Sequence, residues 1–307
     1  MPTALSVIIP TYKRTASLEA LILCLLGQTL RDSEIIVVDQ NPEGFLENAL
    51  SPDILKNILH IRLNEPNASE ARNEGYRRSK ADILFFIDDD FRLAPEINFQ
   101  AIQTLRRFPQ IGCLAPLIVP NHADSESVIR ELKKSYTRNF ISGTRIHEIS
   151  KTMPAVVFYR RDYFERSGGF DARLFRFART AEDQELFLRM HSRGLRVWVD
   201  EALPVVHDED TPGGCDLRTS DYWITRERCI RSWAFRYRIH GGNKGKLSPI
   251  DLYRLSRSAF LNTGIFRSGP GPVLRNIGLL RRSIDESLKY LKPYLEYYRN
   301  VEEISHL

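Results

Sequence analysis

The chain of 307 residues is 42% hydrophobic and 27% charged, a balance typical of a globular protein with a sizeable core, and this excludes an intrinsically disordered chain. Its four cysteines show neither CxxC spacing nor the density of a disulfide scaffold, which argues against a zinc or redox motif and favours a reducing compartment. The net charge of +5 is uneven, since residues 226–299 carry 16 Lys and Arg against 5 Asp and Glu, whereas residues 1–225 carry 28 against 32.

No targeting signal is expected at the start of this sequence. Residues 1–4 lead directly into the first apolar strand, without the basic, hydrophobic and small-residue regions of a signal peptide. The longest apolar stretch, at residues 20–26, is far shorter than the ~20 residues that a membrane-spanning helix needs. We therefore expect a cytoplasmic protein, either soluble or peripheral to the inner face of the membrane.

Predicted strands and helices alternate through the first half of the chain, which is typical of a parallel sheet covered by helices on both faces. Strands are predicted at residues 5–10, 34–39, 58–63, 83–87 and 113–119. Helices are predicted at residues 17–26, with Thr15 or Ser17 as cap, at 67–79, with Asn67 as cap, and at 95–107.

The second half is less regular. Residues 121–150 are polar and weakly periodic, and they predict a hairpin or loop. The later predicted elements are a strand at 155–159, a tight turn at 167–171, a helix at 180–193, and short strands at 196–199 and 204–207. Beyond His207 the pattern becomes helical, with Gly-rich breaks at 241–245 and 269–272. The sequence thus predicts an α/β domain at 1–215 and a basic, mainly helical extension at 216–307.

An apolar strand that ends in three acids is the most informative feature of the sequence. Asp88, Asp89 and Asp90 follow the run ILFFI, and like charges this close together need a compensating cation. Hard divalent cations prefer carboxylate oxygens, and Mg²⁺ shares its coordination sphere with substrate phosphates. The run indicates either a metal site for a phosphorylated ligand or a solvated acidic turn.

Other polar residues fall at the carboxyl ends of predicted strands, where ligands collect in open α/β sheets. The segment 10–14 follows the first strand, and Asp39 ends the second. No GxGxxG follows the first strand and no GxxxxGK[ST] occurs, so the sequence supports neither a dinucleotide cradle nor a P-loop.

Six short motifs follow one another along the chain: SVIIPTY at 6–12, VVD at 37–39, ARNEG at 71–75, DDD at 88–90, GGFD at 168–171 and EDQEL at 182–186. In this order they resemble the inverting family 2 glycosyltransferases of the GT-A fold, and the resemblance covers about residues 5 to 210. Each motif is weak alone, and their shared order carries the resemblance.

The resemblance implies a nucleotide-sugar that lies across the first four strand ends. Its expected donor-binding residues are Pro10, Thr11, Tyr12, Arg14, Asp39, Arg72, Asn73, Asp88 and Asp89. Asp39 is expected to accept a hydrogen bond from a base N–H, as for uracil, unless it only caps the turn after its strand. Arg72 and Asn73 resemble the ARN element near the nucleotide phosphates, although an Arg on a solvated helix face is common.

The resemblance also implies Mn²⁺ or Mg²⁺ as cofactor. Asp88 and Asp90 resemble the two acids of a DxD motif, with Asp88 towards the ribose or sugar and Asp90 holding the cation against the diphosphate. His207 stands where related enzymes often have a further metal ligand, and a neutral imidazole suits Mn²⁺. A lone His at a strand end is equally expected in a structural role.

Asp183, preceded by Glu182, resembles the base of the family's ED motif. In inverting transfer this base takes the proton of the acceptor hydroxyl while the oxygen attacks the anomeric carbon. Thr180 to Asp183 also fits a capping box, in which the acid only accepts a backbone N–H. The catalytic role is favoured by the preceding motif that shapes the acceptor loop in the family, namely Gly168, Gly169, Phe170 and Asp171.

Two positions depart from the family pattern. Gln40 follows Asp39, and Asn41 comes next, where many relatives have a small residue and then a second acid. Ala181 replaces the Gly that often precedes the ED motif. The first change weakens any inference about the identity of the nucleotide base, and the second is expected to affect only the loop.

Aromatic residues alternate with arginines between Tyr222 and Arg238. The aromatics could pack helices onto the sheet domain while the arginines stay solvated. Alternatively, residues 226–299 could contact anionic lipid headgroups or a polyprenyl-diphosphate acceptor, with about 1 kcal/mol per basic contact near an acidic membrane. Nucleic acid is not an expected partner, because no nucleic-acid motif accompanies the basic residues.

We therefore expect a metal-dependent inverting glycosyltransferase that moves a sugar, most simply from a UDP-sugar, to a glycan or polyprenyl-linked acceptor in cell-surface polysaccharide biosynthesis. One alternative is a haloacid-dehalogenase-like phosphatase with Asp88 as nucleophile, although Arg92 stands where that family usually has Thr or Val. The other is a sugar-nucleotide-binding protein without turnover.

Overall fold

The computed structural model describes residues 3–135, 137–149, 156–208, 213–214, 221–240, 247–260 and 270–291. The chain forms two compact units, of which the first comprises residues 1–171 and 186–217 and the second residues 172–185 and 218–307. The predicted boundary between residues 215 and 216 lies outside the described residues and stays a prediction. Segment 172–185, predicted as part of the first domain, groups with the C-terminal helices instead.

The first unit contains the strands of the protein that the structure describes. They are β1 (Leu5–Thr11), β2 (Ser33–Asp39), β3 (Leu59–Arg62), β4 (Ile83–Phe86), β5 (Phe91–Leu93), β6 (Cys113–Pro120), β7 (Thr137–Phe140), β8 (Ile146–Ile149), β9 (Val157–Arg160) and β10 (Trp198–His207). Its helices are α1 (Thr15–Leu26), α2 (Phe45–Ala49), α3 (Pro52–Leu55), α4 (Ala68–Arg78), α5 (Ile97–Arg107), α6 (Ser125–Ser135) and α7 (Arg161–Ser167).

The strands form one mixed sheet in the order β3-β2-β1-β4-β9-β6-β10-β8-β7, and β5 pairs with β10. Strands β3, β2, β1 and β4 are parallel neighbours, as are β6 and β10, whereas β9 is antiparallel to both β4 and β6. The predicted α/β fold class is confirmed.

Both faces of the sheet are buried at the central strands β1 and β4, as their continuous apolar sequences predict. Val7 and Ile9 of β1 pack on one face with residues of α1 and α5. Ile8, between them, packs on the other face with Ala71 of α4. Because alternate side chains of one strand enter two separate cores, the carboxyl end of β1 is held from both sides.

Three predicted elements differ from the structure. Residues 121–150 contain the predicted hairpin, β7–β8, and also helix α6, which was not predicted although Val128, Ile129 and Leu132 stand at helical spacing. The two short strands predicted at 196–199 and 204–207 are one strand, β10, with an irregularity between Asp200 and Pro204. Helix α1 begins at Thr15, so neither Thr15 nor Ser17 is its cap.

Helix α4 lies tightly on the sheet because of a glycine. Asn67 accepts a hydrogen bond from the Glu70 amide at 3.1 Å and caps the helix as predicted. At Gly75 an added Cβ atom would lie 2.4 Å from Cγ2 of Ile8 and 3.3 Å from Cγ2 of Val38. The missing side chain therefore lets α4 approach β1 and β2 closely, and this approach positions the ARN motif.

Gly75→Ala should destabilise the protein by about 1–3 kcal/mol, since overpacking outweighs the ~1 kcal/mol gain in helix propensity. The urea midpoint of unfolding measures the effect. Gly278→Ala is a matched control, because a Cβ atom at that helical glycine meets nothing within 4 Å. A Gly75 variant as stable as the wild type would contradict the close packing.

The second unit is helical where the structure describes it. Its helices are α8 (Ala172–Ala178), the first turn of α9 (Glu182–Ser192), α10 (Tyr222–His240), α11 (Pro249–Phe260) and α12 (Pro270–Leu291). Phe177 of α8 packs with Phe235 of α10 and Tyr290 of α12. The break predicted at 241–245 lies outside the described residues. Among the described helices, none has the length and apolarity needed to cross a bilayer.

Candidate active site

The carboxyl ends of β1, β2 and β4 bring the predicted donor residues together. Pro10 and Thr11 pair in register with Val38 and Asp39 of β2. Strand β4 lies on the other side of β1 and leads directly into the aspartates. With β3 beside β2, all four strand ends predicted to hold the donor are therefore neighbours in the sheet.

Two arginines compensate the charge of the three aspartates. Arg72 of α4 donates to Oδ1 of Asp88 at 2.6 Å. Arg14, at the start of α1, places Nη1 2.9 Å from Oδ1 of Asp89 and 2.7 Å from Oδ2 of Asp90. The positive charges expected beside these acids are thus provided, in this structure, by two arginine side chains.

The three aspartates differ in accessibility. The side chain of Asp88 is 29% exposed, whereas those of Asp89 and Asp90 are almost fully buried. Asp89 also accepts a hydrogen bond from the Thr11 hydroxyl at 2.6 Å. Burial raises the pKa of Asp89 to about 7, against the opposing effects of Arg14 and Thr11. Asp88 is therefore the acid most accessible to a ligand, and Asp89 ties β1 to the loop after β4.

The predicted metal ligands are brought together in part. His207 Nε2 lies 3.4 Å from Oδ2 of Asp90, and its ring stacks on Phe91 with centroids 4.6 Å apart. Two ligands of one cation, each about 2.0–2.2 Å from it, lie about 3 Å apart when at right angles. This pair fits a Mn²⁺ or Mg²⁺ ion, and the carboxylate and imidazole chemistry suits Mn²⁺. Asp88 would complete the set only after a shift of its side chain.

A second set of potential metal-ligating side chains lies at the end of β2. Asp39, Glu47 and His60 are the described residues whose three potential ligand atoms lie within 4.8 Å of one another. His60 Nε2 is 3.1 Å from Asp39 Oδ2, and Nδ1 is 3.6 Å from Glu47 Oε1. The hydrogen bond with Asp39 raises the pKa of His60 despite burial. Because each ring nitrogen already faces a carboxylate, these contacts form an ion-pair chain.

Asp39 itself is enclosed. Its Oδ1 accepts hydrogen bonds from the backbone N and from Nδ2 of Asn41, at 2.8 and 2.7 Å, and its side chain is 0% exposed. The Asn41 Oδ1 accepts in turn from the Lys13 amide at 2.8 Å. Asn41 thus bonds one carboxylate oxygen of Asp39 and His60 the other, so a nucleotide base could contact this buried side chain only after a neighbour moves. The base-binding role stays a prediction.

The ARN and GGFD motifs contact each other. The Asn73 side chain donates to the Phe170 carbonyl at 2.8 Å and accepts from the Phe170 amide at 3.0 Å. The Arg72 guanidinium lies 5.1 Å from the Phe170 ring centroid. Asn73, predicted near the phosphates, is thus used to hold the predicted acceptor loop against α4.

The predicted acceptor loop also depends on a residue that the sequence analysis missed. Arg189 donates to the carbonyls of Ser167 and Gly169, both at 2.7 Å. Gly168 and Gly169 have φ angles of +80° and +68°, which favour glycine. Asp171, at the end of the motif, is buried. No local pattern in the sequence marks Arg189, because its partners lie about twenty residues earlier in the chain.

A second missed segment covers the loop after β1. The Gly214 amide donates to the Tyr12 carbonyl at 3.0 Å, and the Gly213 carbonyl accepts from Arg14 Nη2 at 3.2 Å. A Cβ atom at Gly213 would lie 2.8 Å from the Lys13 carbonyl oxygen. The glycine pair therefore lies directly against Tyr12, Lys13 and Arg14, and its two adjacent glycines are the signal that could have indicated it.

Glu182 and Asp183 begin α9 in the second unit. Asp183 is half-buried, and its Oδ1 accepts from the Gln184 amide at 2.7 Å. The Gln184 Oε1 accepts from Arg236 of α10 at 2.8 Å. Ala181, just before the helix, has φ +66°, a conformation that favours the Gly often found there. The first turn of α9 is therefore positioned by α10.

Comparison with known proteins identifies the family. The model of glycosyl transferase family 2 matches residues 6–168, which is more than half of the chain. The chain belongs to this family. The chain is 26% identical over 250 residues to the O-antigen biosynthesis protein RfbC of Myxococcus xanthus, and the match covers 72% of this chain and 18% of that protein. It spans between 18% and 62% of the length of the curated relatives that it matches.

Solved structures of other proteins share the fold. Staphylococcus aureus TarS 1–349 in complex with UDP-GlcNAc gives a TM-score of 0.59 at 15% identity, covering 96% of this chain and 87% of that one. The mannosyltransferase PcManGT of Pyrobaculum calidifontis, in complex with GDP-Man and Mn²⁺, gives 0.54 at 18% identity with the same coverage. The predicted family and fold are confirmed. The family match ends before Glu182 and Asp183, so their catalytic role stays a prediction.

Proposed function

We propose that this protein is a metal-dependent inverting glycosyltransferase that uses a nucleotide-diphospho-sugar, most simply a UDP-sugar. The observation that carries the proposal is the cluster of three aspartates and two arginines at the carboxyl ends of β1 and β4, in a member of glycosyl transferase family 2. Ligands of open α/β sheets bind at such strand ends. The two solved proteins named above, which share this fold, are in complex with UDP-GlcNAc and with GDP-Man.

The donor would lie over the ends of β1, β2 and β4. Tyr12 and the enclosed Asp39 are assigned to the base and ribose, together with Pro10 and Thr11, and Asp88 to the ribose or sugar. Arg72, almost fully buried and adjacent to Asp88, is suited to a phosphate oxygen, because a guanidinium binds such oxygens through paired hydrogen bonds. These assignments place the diphosphate beside the aspartates.

The cofactor proposed for this site is Mn²⁺ or Mg²⁺. Asp90 and His207 would hold it, with Asp88 as a third ligand. Bound there, it would neutralise charge on the departing diphosphate. The solved mannosyltransferase, which contains Mn²⁺, supports this choice of cofactor by its similarity of fold.

Asp183 is proposed as the general base, with Glu182 beside it. Its carboxylate would take the proton from the acceptor hydroxyl while that oxygen forms a bond to the anomeric carbon. The bond from this carbon to the diphosphate breaks on the opposite face, and the configuration inverts. General-base assistance contributes about 10²–10⁴-fold in rate. The GGFD loop, held by Asn73 and Arg189, would shape the acceptor side.

The acceptor is proposed to be a glycan or a polyprenyl-linked sugar of the cell surface, made at the cytoplasmic side of the membrane. A relative named for O-antigen biosynthesis supports this class. Within region 226–299, apolar side chains exposed on α11 and α12 stand among exposed arginines. They are Ile250, Tyr253, Leu274 and Ile277. Peripheral contact with anionic lipid is proposed through this region.

Of the two alternative functions, the phosphatase is disfavoured and the non-catalytic binding protein stays open to test. Membership of glycosyl transferase family 2 argues against a haloacid-dehalogenase-like phosphatase. A sugar-nucleotide-binding protein without turnover shares the donor site and is distinguished only by assaying transfer.

A thermal-shift screen of UDP-, GDP- and dTDP-sugars, with and without Mn²⁺, tests the proposed function. A ligand that binds only the native protein stabilises it by about 2.7 kcal/mol at a hundred times its dissociation constant. We expect one nucleotide class to raise the melting temperature strongly, and only when Mn²⁺ is present. No shift with any donor in the presence of Mn²⁺ or Mg²⁺ would contradict the proposal. The donor found is then assayed for transfer and for the configuration of the product.

A further inference from the structure

Arg14 occupies an unusual position for a donor-binding residue. It follows Lys13, whose φ of +58° turns the chain sharply after β1, and its side chain is only 6% exposed. A single Nη1 atom contacts both Asp89 and Asp90. Nη2 donates to the Gly213 carbonyl. The guanidinium is therefore built into the acidic cluster and does not project into solvent.

The contacts of Arg14 include the atom proposed to bind the cation. Asp90 Oδ2 is 2.7 Å from Arg14 Nη1 and 3.4 Å from His207 Nε2. A divalent ion ligated by Asp90 and His207 would lie against this oxygen, close to the positive guanidinium. Two positive charges this close repel each other strongly in a buried site. The ion and Arg14 therefore compete for Asp90.

We propose that Arg14 is a displaceable counter-ion that makes cation binding depend on the donor. In the free enzyme, Arg14 neutralises Asp90 and lowers the affinity of the site for a divalent cation. The donor diphosphate offers the guanidinium new negative oxygens, so Asp90 becomes available to the ion when the donor is present. Cation and donor then raise each other's affinity by the same factor. The inference rests on the proposed function, and it adds a coupling between cation and donor, carried by Arg14, that the family assignment does not contain.

Mn²⁺ binding without any nucleotide tests the proposal directly. The electron paramagnetic resonance signal of free Mn²⁺ gives its dissociation constant for the wild type and for Arg14→Gln. We expect Arg14→Gln to bind Mn²⁺ alone about tenfold tighter or more, because a positive charge within 3 Å of two carboxylates is removed. The factor by which UDP or GDP, whichever binds the wild type more tightly, increases Mn²⁺ affinity should shrink correspondingly.

Further variants control for charge and folding. Arg14→Lys keeps the charge, so its affinity for Mn²⁺ alone should stay near that of the wild type. Removing one partner of a buried ion pair is strongly destabilising, so Arg14→Gln combined with Asp89→Asn removes both charges of the Arg14–Asp89 pair. Asp89→Asn alone measures the effect of losing the Asp89 charge, so the double variant should bind Mn²⁺ more tightly than Asp89→Asn does. Thermal unfolding confirms that both variants are folded.

The outcomes separate this inference from the proposed function. Equal Mn²⁺ affinity in folded Asp89→Asn and in the folded double variant would overturn the counter-ion role of Arg14, even if the wild type binds nucleotide-sugars. Tighter Mn²⁺ binding in the variants would support that role even if the donor screen fails, in which case the proposed function alone is contradicted.

Discussion

Asp183→Asn should lower kcat by about a hundredfold or more while donor affinity changes little. The amide keeps the shape of the side chain and its hydrogen bond from the Gln184 amide, but it cannot take the proton of the acceptor hydroxyl. The turnover number measured at saturating donor and acceptor gives the first quantity, and calorimetric titration with the donor gives the second.

The competing explanation, that Asp183 only stabilises the start of a helix, has a matched control. Asp162 stands in the first turn of α7 and is exposed. Asp162→Asn removes a charge from an equivalent helical position, where the interaction with the helix dipole is typically worth about 0.3–1 kcal/mol. Equal turnover in the two variants would remove Asp183 from the mechanism.

Asp90→Ala should weaken Mn²⁺-dependent binding of the nucleotide-sugar by about tenfold or more, because loss of a carboxylate ligand lowers cation affinity. Arg14 keeps its partner Asp89 in this variant, so we expect the fold to persist. Calorimetric titration with the donor, with and without Mn²⁺, measures the loss.

Asp82→Ala is the control for the loss of Mn²⁺-dependent donor binding in Asp90→Ala. Asp82 is exposed and precedes β4, at the opposite end of the strand from Asp90. Its removal changes the net charge equally without touching the cluster. If both variants bind the donor as tightly as the wild type, the cation is not held by Asp90.

The elements and the motif order could be predicted from the sequence because they are local properties. Continuous apolar runs predict buried parallel strands, and the acids at 39 and 88–90 follow those runs directly. The cap at Asn67 needs only a residue three positions later. Helix α6 was missed although its apolar residues Val128, Ile129 and Leu132 stand at helical spacing, because only three apolar residues lie in a segment that is otherwise polar or charged.

The sequence by itself determined the family, the class of fold and the end of the sheet at which the polar residues collect. The tertiary structure decided the partners of those residues. Arg14 and Asp89 are 75 residues apart, and Asn73 and Phe170 are 97 apart. The tertiary structure pairs Arg14 with the aspartates, buries Asp39 between Asn41 and His60, and uses Asn73 to hold the GGFD loop. Hydrogen bonds and ion pairs depend on distances of a few ångströms between side chains from different elements, and no periodicity along the chain encodes such distances.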